Sequence, residues 1–436
     1  MSRALSRRDA LRTLASGGAL ALLQCTAPRA RVSNGGFPMK SSERLREVLA
    51  RHVENGEVPG LVCLVSRGGN VQVEALGSKT IDGAREPMRR DTLFRIASMT
   101  KPVTVAAALI LVEEGKLRLD DPVNGLLPEL ASRRVLRRVD GPLDDTVPAA
   151  RAITLRDLLT FRMGFGIIWG PPNGTPIQRA ANELRLGAFG PPQPQVPPPP
   201  DEWMRRFATL PLMHQPGECW MYQTGAEVLG VLIARAAGMP LDRFFGERIF
   251  EPIGMRDTGF YVPEAKLSRF QPAYFAKNPF NPDVGGVVLD DPIDGQWSKP
   301  PAFPSGGAGL VSTVDDYHAF ARMLLAGGSS GRIRVLSEPS VRLMTSDQLT
   351  SEEKARSPVM PEGYWSHHGW GCGVAVATGP RAPGSPGGYG WDGGSGTYWC
   401  SDPARDMVAI LLTQRAAFPA MTGLYRDFWD AVYAEG

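Results

Sequence analysis

The chain has 436 residues, of which 43% are hydrophobic and 21% are charged, and its formal net charge at pH 7 is +3. This composition is typical of a globular protein with one large domain or two, and so small a charge does not indicate a nucleic-acid partner. No apolar run reaches the roughly 20 residues of a membrane-spanning helix, so we expect no transmembrane segment.

The first 30 residues have the features of an export signal. Arg7 and Arg8 precede a mildly apolar stretch at 14–23, and this arrangement resembles a twin-arginine signal. We therefore expect residues 1–30 to be a targeting segment and the protein to be periplasmic or secreted. A disordered basic tail is the alternative interpretation.

The next elements predict a sheet that the chain leaves and rejoins. A helix is expected at 42–54, and a hairpin follows with strands at 61–65 and 71–73. Residues 117–316 are expected to be helical and rich in loops, with an extended Pro-rich loop at 190–200. The C-terminal elements are expected at 315–325 (helix), 371–377, 398–401 and 407–412 (strands) and 424–433 (helix).

A serine and a lysine at the start of an apolar helix form the first candidate site. Ser98 and Lys101 are three positions apart, about one helical turn, so their side chains lie on the same face. Burial disfavours the charged form of lysine, and a neutral amine beside a hydroxyl can remove its proton. A serine that only caps the helix explains this pair equally well.

Two other serines match patterns that nucleophiles use. Ser351 and Lys354 repeat the same spacing in a polar stretch, where Ser351 is explained as a helix cap followed by acidic residues. Ser329 is central to a Gly-x-Ser-x-Gly pattern at 327–331, which in α/β-hydrolases follows a strand. A helix is predicted before it here, so we interpret 327–331 as a helix end and a loop.

Histidines and cysteines are scattered along the chain. There are five of each, no Cys-x-x-Cys pair occurs, and His367 and His368 do not have the spacing of a zinc-binding helix. We therefore expect no metal site and no cofactor, and we expect the cysteines outside the targeting segment to be small buried side chains.

Two later motifs complete an ordered set with Ser98 and Lys101. Tyr222 comes just before an apolar helix at 226–233, and Trp391 and Gly393 lie on a predicted strand. The set resembles the serine β-lactamase and penicillin-binding superfamily, most of all class C β-lactamases and family VIII carboxylesterases. Those families carry Ser-x-x-Lys, then a tyrosine motif, then Lys-Thr-Gly or Trp-x-Gly on a strand. Other similar stretches are 153–160, 305–313 and 369–374, the last as the first C-terminal strand.

The resemblance implies the fold class and the domain organisation. We expect an α/β plus α fold of the β-lactamase/transpeptidase type, with an antiparallel sheet flanked by helices and an inserted, mostly helical domain. Residues 37–97 and 330–436 are expected to form the sheet domain, and 98–329 the helical domain. The active site is expected between the two.

The resemblance also implies roles for single residues. Ser98 is expected to be the nucleophile, Lys101 and Tyr222 to share the general-base role, and the backbone N–H groups of Ser98 and Gly394 to form the oxyanion hole. The residues expected to contact the substrate are Trp391, Gly393, Thr224 and Trp169.

Departures from the β-lactamase pattern favour an ester as the substrate. Thr224 occupies the position of an asparagine in class C enzymes, and Trp391 that of the lysine in Lys-Thr-Gly. Tryptophan has one N–H donor and no charge, so it cannot pair with a substrate carboxylate as lysine does. We therefore expect hydrolysis of small, short-chain esters. A β-lactamase or D-amino-acid peptidase with the same chemistry, and a non-catalytic envelope-binding protein, remain as alternatives.

Overall fold

One large antiparallel sheet and the helices around it make up most of the fold. The computed structural model describes residues 39–81, 86–168, 174–187, 192–278, 286–379, 384–416 and 422–434. Its helices are α1 (Met39–Glu54), α2 (Thr100–Glu113), α3 (Leu155–Leu159), α4 (Pro176–Glu183), α5 (Pro200–Ala208), α6 (Thr224–Ala237), α7 (Leu241–Phe245), α8 (Glu251–Ile253), α9 (Val314–Leu325), α10 (Glu338–Thr345), α11 (Ser351–Ala355) and α12 (Gly423–Tyr433).

The strands fall into one large group and several short pairs. They are β1 (Gly60–Arg67), β2 (Asn70–Gly77), β3 (Phe94–Arg95), β4 (Arg134–Leu136), β5 (Thr146–Pro148), β6 (Ala273–Ala276), β7 (Val287–Asp291), β8 (Val311–Ser312), β9 (Ser329–Ser330), β10 (Ile333–Arg334), β11 (His368–Trp370), β12 (Ala375–Ala377), β13 (Tyr389–Gly393), β14 (Thr397–Asp402), β15 (Met407–Thr413) and β16 (Arg415–Ala416).

The main sheet joins the two ends of the chain. Among the described residues it has seven strands in the order β11-β12-β13-β14-β15-β1-β2, and all neighbouring pairs are antiparallel. The long strand β15 pairs with β1, where Leu61 lies opposite Thr413. The predicted antiparallel sheet is therefore confirmed, with the N-terminal hairpin at one edge.

Each face of the sheet carries its own apolar layer, because neighbouring residues of a strand point to opposite sides. On one face, Leu61, Cys63 and Val65 of β1 pack with side chains of α1 and α12. On the other face, Val62 and Leu64 join the larger core, and α9 packs against β1, β14 and β15. Helices therefore flank the sheet on both faces, as predicted.

The helix that follows Ser98 lies inside the molecule. Every residue from Thr100 to Leu111 of α2 is buried, as expected of a helix that is apolar on all sides. It packs against α6, whose residues Thr224 to Ile233 are also buried. Polar side chains on these two helices are consequently shielded from water.

The region between α2 and α9 contains helices α3 to α8, long loops and small sheets that the sequence did not predict. β4 pairs with β5, and β6 pairs with both β7 and β16. In the Pro-rich loop, residues 192–199 contain no helix or strand. Residues 37–436 form one compact unit, so the predicted division into a sheet domain and a helical domain stays a prediction.

The predicted strand at 371–377 is wrong in its first half. The main chain turns there, since Gly373 has a φ of +76° and the N–H of Gly371 donates to the carbonyl of Val374 at 2.9 Å. The similar stretch at 369–374 therefore contains the end of β11 and the turn, 371–374, that joins it to β12. A left-handed glycine inside an apolar segment marks a turn rather than a continuous strand.

The two competing serines lie in ordinary structural positions. Thr350, not Ser351, caps α11, and its side chain forms a capping box with Glu353. Ser351 is the first residue of this helix and is exposed. Ser329 lies in β9, which comes after α9 and pairs with β10. Neither serine occupies a turn between a buried strand and a helix.

The predicted targeting segment at 1–30 lies outside the described residues. Among the helices that the structure describes, none has the length and apolar character needed to cross a bilayer.

Candidate active site

Ser98 lies in a tight turn whose flanking residues are fixed by other elements. The turn is a short 3-10 helix, Ala97–Met99, directly before α2. On one side, the N–H of Ile96 donates to Leu310 at 3.0 Å. On the other, the hydroxyl of Tyr317 in α9 donates to the carbonyl of Met99 at 2.9 Å. Ser98 itself is half-buried. Because hydrogen bonds hold the residues on both sides of it, its hydroxyl has a defined position that solvent can reach.

Lys101 is fully buried in the first turn of α2, directly beside Ser98. Its Nζ lies 2.8 Å from Ser98 Oγ, 2.6 Å from Gln223 Oε1 and 2.7 Å from the carbonyl oxygen of Gly307. Burial lowers the pKa of Lys101 to about 7, because removing water disfavours the ammonium form. The predicted pairing of a hydroxyl with a neutral amine therefore has the required geometry.

Tyr222 approaches Ser98 from the loop before α6. Its hydroxyl is hydrogen-bonded to Ser98, and its ring lies 4.4 Å from Lys101 Nζ. The indole N–H of Trp391 in β13 donates to the same hydroxyl at 2.8 Å. Burial raises the pKa of Tyr222, so its phenol stays protonated near neutral pH. The structure thus brings the predicted serine, lysine, tyrosine and tryptophan together.

Aromatic rings surround the tyrosine. Trp391 packs edge-on against Trp370 at 4.6 Å between ring centroids, and Trp370 lies 5.2 Å from Phe161. Trp220 stacks on Tyr222 at 5.5 Å. Such pairs fix ring orientation through packing rather than through charge. Among the described residues, the rings around Trp391 therefore form an apolar side of the site.

The two glycines after Trp391 have different surroundings. A Cβ on Gly393 would lie 2.3 Å from the carbonyl oxygen of Ile96, so β13 approaches the Ser98 turn closely only because this residue is glycine. Gly394 is exposed, and nothing lies within 4 Å of a Cβ added there. Open space at Gly394 beside the Ser98 turn is compatible with the predicted oxyanion hole.

Asp392 faces away from this site. It lies opposite Tyr398 in the β13–β14 pair, and Tyr398 belongs to the apolar layer under α12. Burial raises the pKa of Asp392 to about 7, and a hydrogen bond with Tyr425 of α12 partly offsets this effect. The acidic side chain therefore lies on the opposite face of the sheet from Trp391.

Two other residues, Trp169 and Thr224, are also predicted to contact substrate. Trp169 lies outside the described residues. Thr224 is only 2% exposed, and its hydroxyl has no hydrogen-bond partner among the described residues. Thr224 begins the buried helix α6, and the substrate contact predicted for it stays a prediction.

Sequence analysis missed two buried polar residues behind the lysine. Gln223 accepts a hydrogen bond from Lys101, and its amide nitrogen donates to Glu227 Oε1 at 2.8 Å. Glu227 is 6% exposed and lies in the first turn of an otherwise apolar helix. That position could have indicated the network from the sequence, because an acidic residue in a buried helix needs polar partners.

The arrangement holds the groups that acyl transfer requires. It offers a hydroxyl, an adjacent amine with a lowered pKa and a phenol, which are the groups that nucleophilic catalysis with proton transfer requires. Within the described residues, no group of three histidine, cysteine, aspartate or glutamate side chains is placed to hold a metal ion.

Comparison with known proteins agrees with this geometry. The chain is 42% identical over 366 residues to protein Rv1367c of Mycobacterium tuberculosis, covering 82% of this chain and 86% of the other. It is 31% identical over 411 residues to esterase EstB of Burkholderia gladioli, covering 90% and 95%. The solved structure of EstCE1, described as a hydrolase with promiscuous acyltransferase activity, is 26% identical with a TM-score of 0.73, covering 91% and 99%.

The family assignment follows from a match that spans most of the chain. The family model described as Beta-lactamase covers residues 45–430, which include the Ser98 turn, the tyrosine loop and β13. The fold, an antiparallel sheet with flanking helices, is the one that these relatives have. This chain therefore belongs to the beta-lactamase family, within the serine β-lactamase-like superfamily that includes esterases.

Proposed function

We propose that this protein is a serine carboxylesterase that cleaves short-chain esters through an acyl-enzyme on Ser98. The observation that carries the proposal is the position of Ser98 Oγ between Lys101 Nζ, at 2.8 Å, and the hydroxyl of Tyr222. Membership of the family and similarity to an esterase support a hydrolase. The surroundings of Trp391 support an ester in preference to a β-lactam.

In the proposed acylation, Lys101 acts as the base. Burial lowers its pKa, so a neutral amine is available near pH 7 to take the Ser98 proton as Oγ bonds to the ester carbonyl carbon. The carbonyl oxygen becomes an oxyanion, and the N–H groups of Ser98 and Gly394 are the proposed donors to it. Each donor of this kind is worth roughly 3–4 kcal/mol in known enzymes.

Collapse of the intermediate breaks the bond to the alkoxy oxygen. Tyr222 gives its proton to the departing alcohol, and the Lys101 ammonium replaces that proton. Burial raises the pKa of Tyr222, which keeps the proton on the phenol until the leaving group needs it. Water then attacks the acyl-enzyme with the same groups acting in the reverse order.

The preference for an ester rests on the absence of a cation on β13. β-Lactams and peptides present a carboxylate next to the scissile bond, and a lysine on this strand would pair with it. Trp391 offers only an N–H group, and that group already donates to Tyr222. An apolar acyl or alkyl group can instead pack on the indole.

A parallel assay tests the proposal. We expect purified protein to hydrolyse p-nitrophenyl butyrate with a far higher kcat/KM than a chromogenic cephalosporin, and we expect Ser98→Ala to abolish both activities. A higher kcat/KM for the cephalosporin would indicate a β-lactamase. Turnover of neither substrate, together with binding of cell-wall peptide, would indicate a non-catalytic envelope protein.

We also propose that the protein is exported through a twin-arginine pathway. The support is the position of Arg7 and Arg8 before a weakly apolar stretch. Replacing both with lysine is expected to retain the protein in the cytoplasm, as measured by fractionation and immunoblotting. An unchanged periplasmic yield would contradict the proposal.

A further inference from the structure

Behind Lys101 lies a chain of buried polar groups that the proposed mechanism does not use. Gln223 Oε1 accepts from Lys101 Nζ at 2.6 Å, and Gln223 Nε2 donates to Glu227 Oε1 at 2.8 Å. The glutamine amide therefore connects an amine and a carboxyl group that make no direct contact. Lys101 is 0% exposed, Glu227 is 6% exposed and Gln223 is 8% exposed, so this network is shielded from bulk water.

The hydrogen-bond partners of Lys101 determine where its lone pair points. The carbonyl oxygen of Gly307 and the Oε1 atom of Gln223 can only accept, so they occupy two N–H groups of the amine. The third direction leads to Ser98 Oγ at 2.8 Å. When Lys101 is neutral, its lone pair consequently faces the serine hydroxyl. Loss of the Gln223 amide would free the amine to turn away.

The backbone at Gln223 is distorted in order to place this amide. Its φ and ψ angles are +83° and −67°, and the N–H of Thr224 donates to the carbonyl of Tyr222 at 3.3 Å. This is a γ-turn in the rare conformation that strains a residue with a side chain. Glycine would relieve the strain, so the side chain at this position has a function that glycine cannot supply.

Burial raises the pKa of Glu227, whereas the hydrogen bonds to its two carboxylate oxygens favour the ionised form. Ser305 Oγ donates to Oε1 at 2.8 Å, and the N–H of Gly307 donates to Oε2 at 3.3 Å. A Cβ on Gly307 would lie 2.5 Å from Glu227 Oε1 and 2.7 Å from Gln223 Nε2. The loop residue is glycine because the amide and the carboxylate occupy that space.

We propose that Glu227, acting through the Gln223 amide, is a positioning residue that directs Lys101 toward Ser98 and tunes its basicity. The inference rests on the proposed role of Lys101 as the base. An anionic carboxylate polarises the amide that it accepts from, which strengthens the hydrogen bond that Gln223 Oε1 accepts from the amine. Its negative charge also favours the ammonium form of Lys101.

Few other charges act on this pair. Tyr222, in the loop before α6, lies near both groups, and Asp392 on β13 acts on that tyrosine from the other face of the sheet. The loop that carries Gly307 has one charged side chain, Lys299, which is exposed. The helices α3 and α7 also pack on α2 or α6. Their charged side chains are either paired or exposed. Asp157 pairs with Arg151, Arg156 pairs with Asp120, and Asp242 and Arg243 lie at the surface.

The pH dependence of Ser98 labelling by a fluorophosphonate probe tests the role of Glu227. We expect Glu227→Gln to move the acid limb of the labelling rate to lower pH by about half a unit or more, because Lys101 loses the charge that favours its protonation. Asp316→Asn is the matched control, since Asp316 is also a buried carboxyl but hydrogen-bonds Thr258. We expect its acid limb to match that of wild type.

Two further variants complete the test. Gln223→Gly removes the amide but accepts the same backbone angles, so we expect labelling at least about tenfold slower with an unchanged or higher Tm. If Glu227→Gln does not fold, Ser305→Ala replaces it: loss of one donor to the carboxylate should shift the acid limb in the same direction by less. A superimposable pH profile for Glu227→Gln, or wild-type labelling of Gln223→Gly, would overturn the proposal.

The probe separates this inference from the proposed esterase function. A wild-type protein that reacts with the probe but hydrolyses no ester would refute the function and leave the shift at Glu227 measurable. A wild-type protein that hydrolyses esters while Glu227→Gln shows no shift would refute the positioning role alone. A protein that does not react at Ser98 would refute both.

Discussion

The hydrogen bond from Trp391 to Tyr222 gives the sharpest prediction about catalysis. Trp391→Phe keeps an aromatic ring against Trp370 but removes the N–H that lies 2.8 Å from the tyrosine oxygen. In the proposed mechanism this oxygen gains negative charge as the phenol gives its proton to the leaving alcohol. The indole N–H then stabilises a charged acceptor, which is a stronger bond than one between neutral groups.

The size of the expected effect follows from that charge. A hydrogen bond to a charged group contributes about 1.5–3 kcal/mol, against about 0.5–1.5 kcal/mol for a neutral one. Because the bond is also present before reaction, only the difference, about 1–1.5 kcal/mol, lowers kcat, which corresponds to a fall of roughly 5- to 13-fold. Since the phenyl ring still packs beside the pocket, we expect KM for p-nitrophenyl butyrate to change only about threefold or less.

Trp370→Phe is the matched control for this prediction. Trp370 is 0% exposed, and its indole nitrogen has no hydrogen-bond partner among the described residues. The same change in side-chain volume therefore removes packing but no hydrogen bond, so we expect a lower Tm with kcat within about threefold of wild type. Equal losses of kcat in the two variants would refute the role of the Trp391 N–H, as would a Trp391→Phe enzyme with wild-type turnover.

Three other predictions concern the nucleophile, the proton-transfer groups and stability. A fluorophosphonate probe should label Ser98 and no other serine, as read by peptide mass; label elsewhere would contradict the assignment. Lys101→Ala and Tyr222→Phe should each lower kcat at least about 100-fold with little change in KM; near-normal kcat would make either residue structural. His52 forms hydrogen bonds with Glu57 at 2.5 Å and with Asp427 at 3.0 Å. The bond with Glu57 is the largest cause of the raised pKa of His52. His52→Gln should therefore cost about 1–2 kcal/mol of unfolding free energy below pH 6 and progressively less as pH rises through the raised pKa; equal losses in urea titrations at pH 5.5 and pH 9 would contradict this.

Local patterns allowed much of the fold and the reacting groups to be predicted from sequence. The hairpin of β1 and β2 was evident from its glycine turn between apolar runs, and α2 from a continuous apolar segment that ends at Gly115, where φ is +71°. Ser98 and Lys101 are neighbours on one helical turn, so sequence spacing alone places them together. Pairing between distant segments could not be predicted in this way. The strands β16 and β6 pair in parallel over only two residues each, and these residues are about 140 positions apart in the sequence.

The geometry behind the lysine was not predictable for a different reason. Glu227 acts on Lys101 only because the backbone reverses at Gln223, in a conformation that glycine prefers and that the sequence gives no cause to expect there. It also needs Gly307, 80 positions further along the chain, to leave room for the carboxylate. A sequence pattern reports the identity of the reacting groups, whereas the carboxylate that acts on the lysine is brought there by strained and distant backbone. For this reason the serine, lysine and tyrosine can be identified without a structure, but the residue that tunes the base requires one.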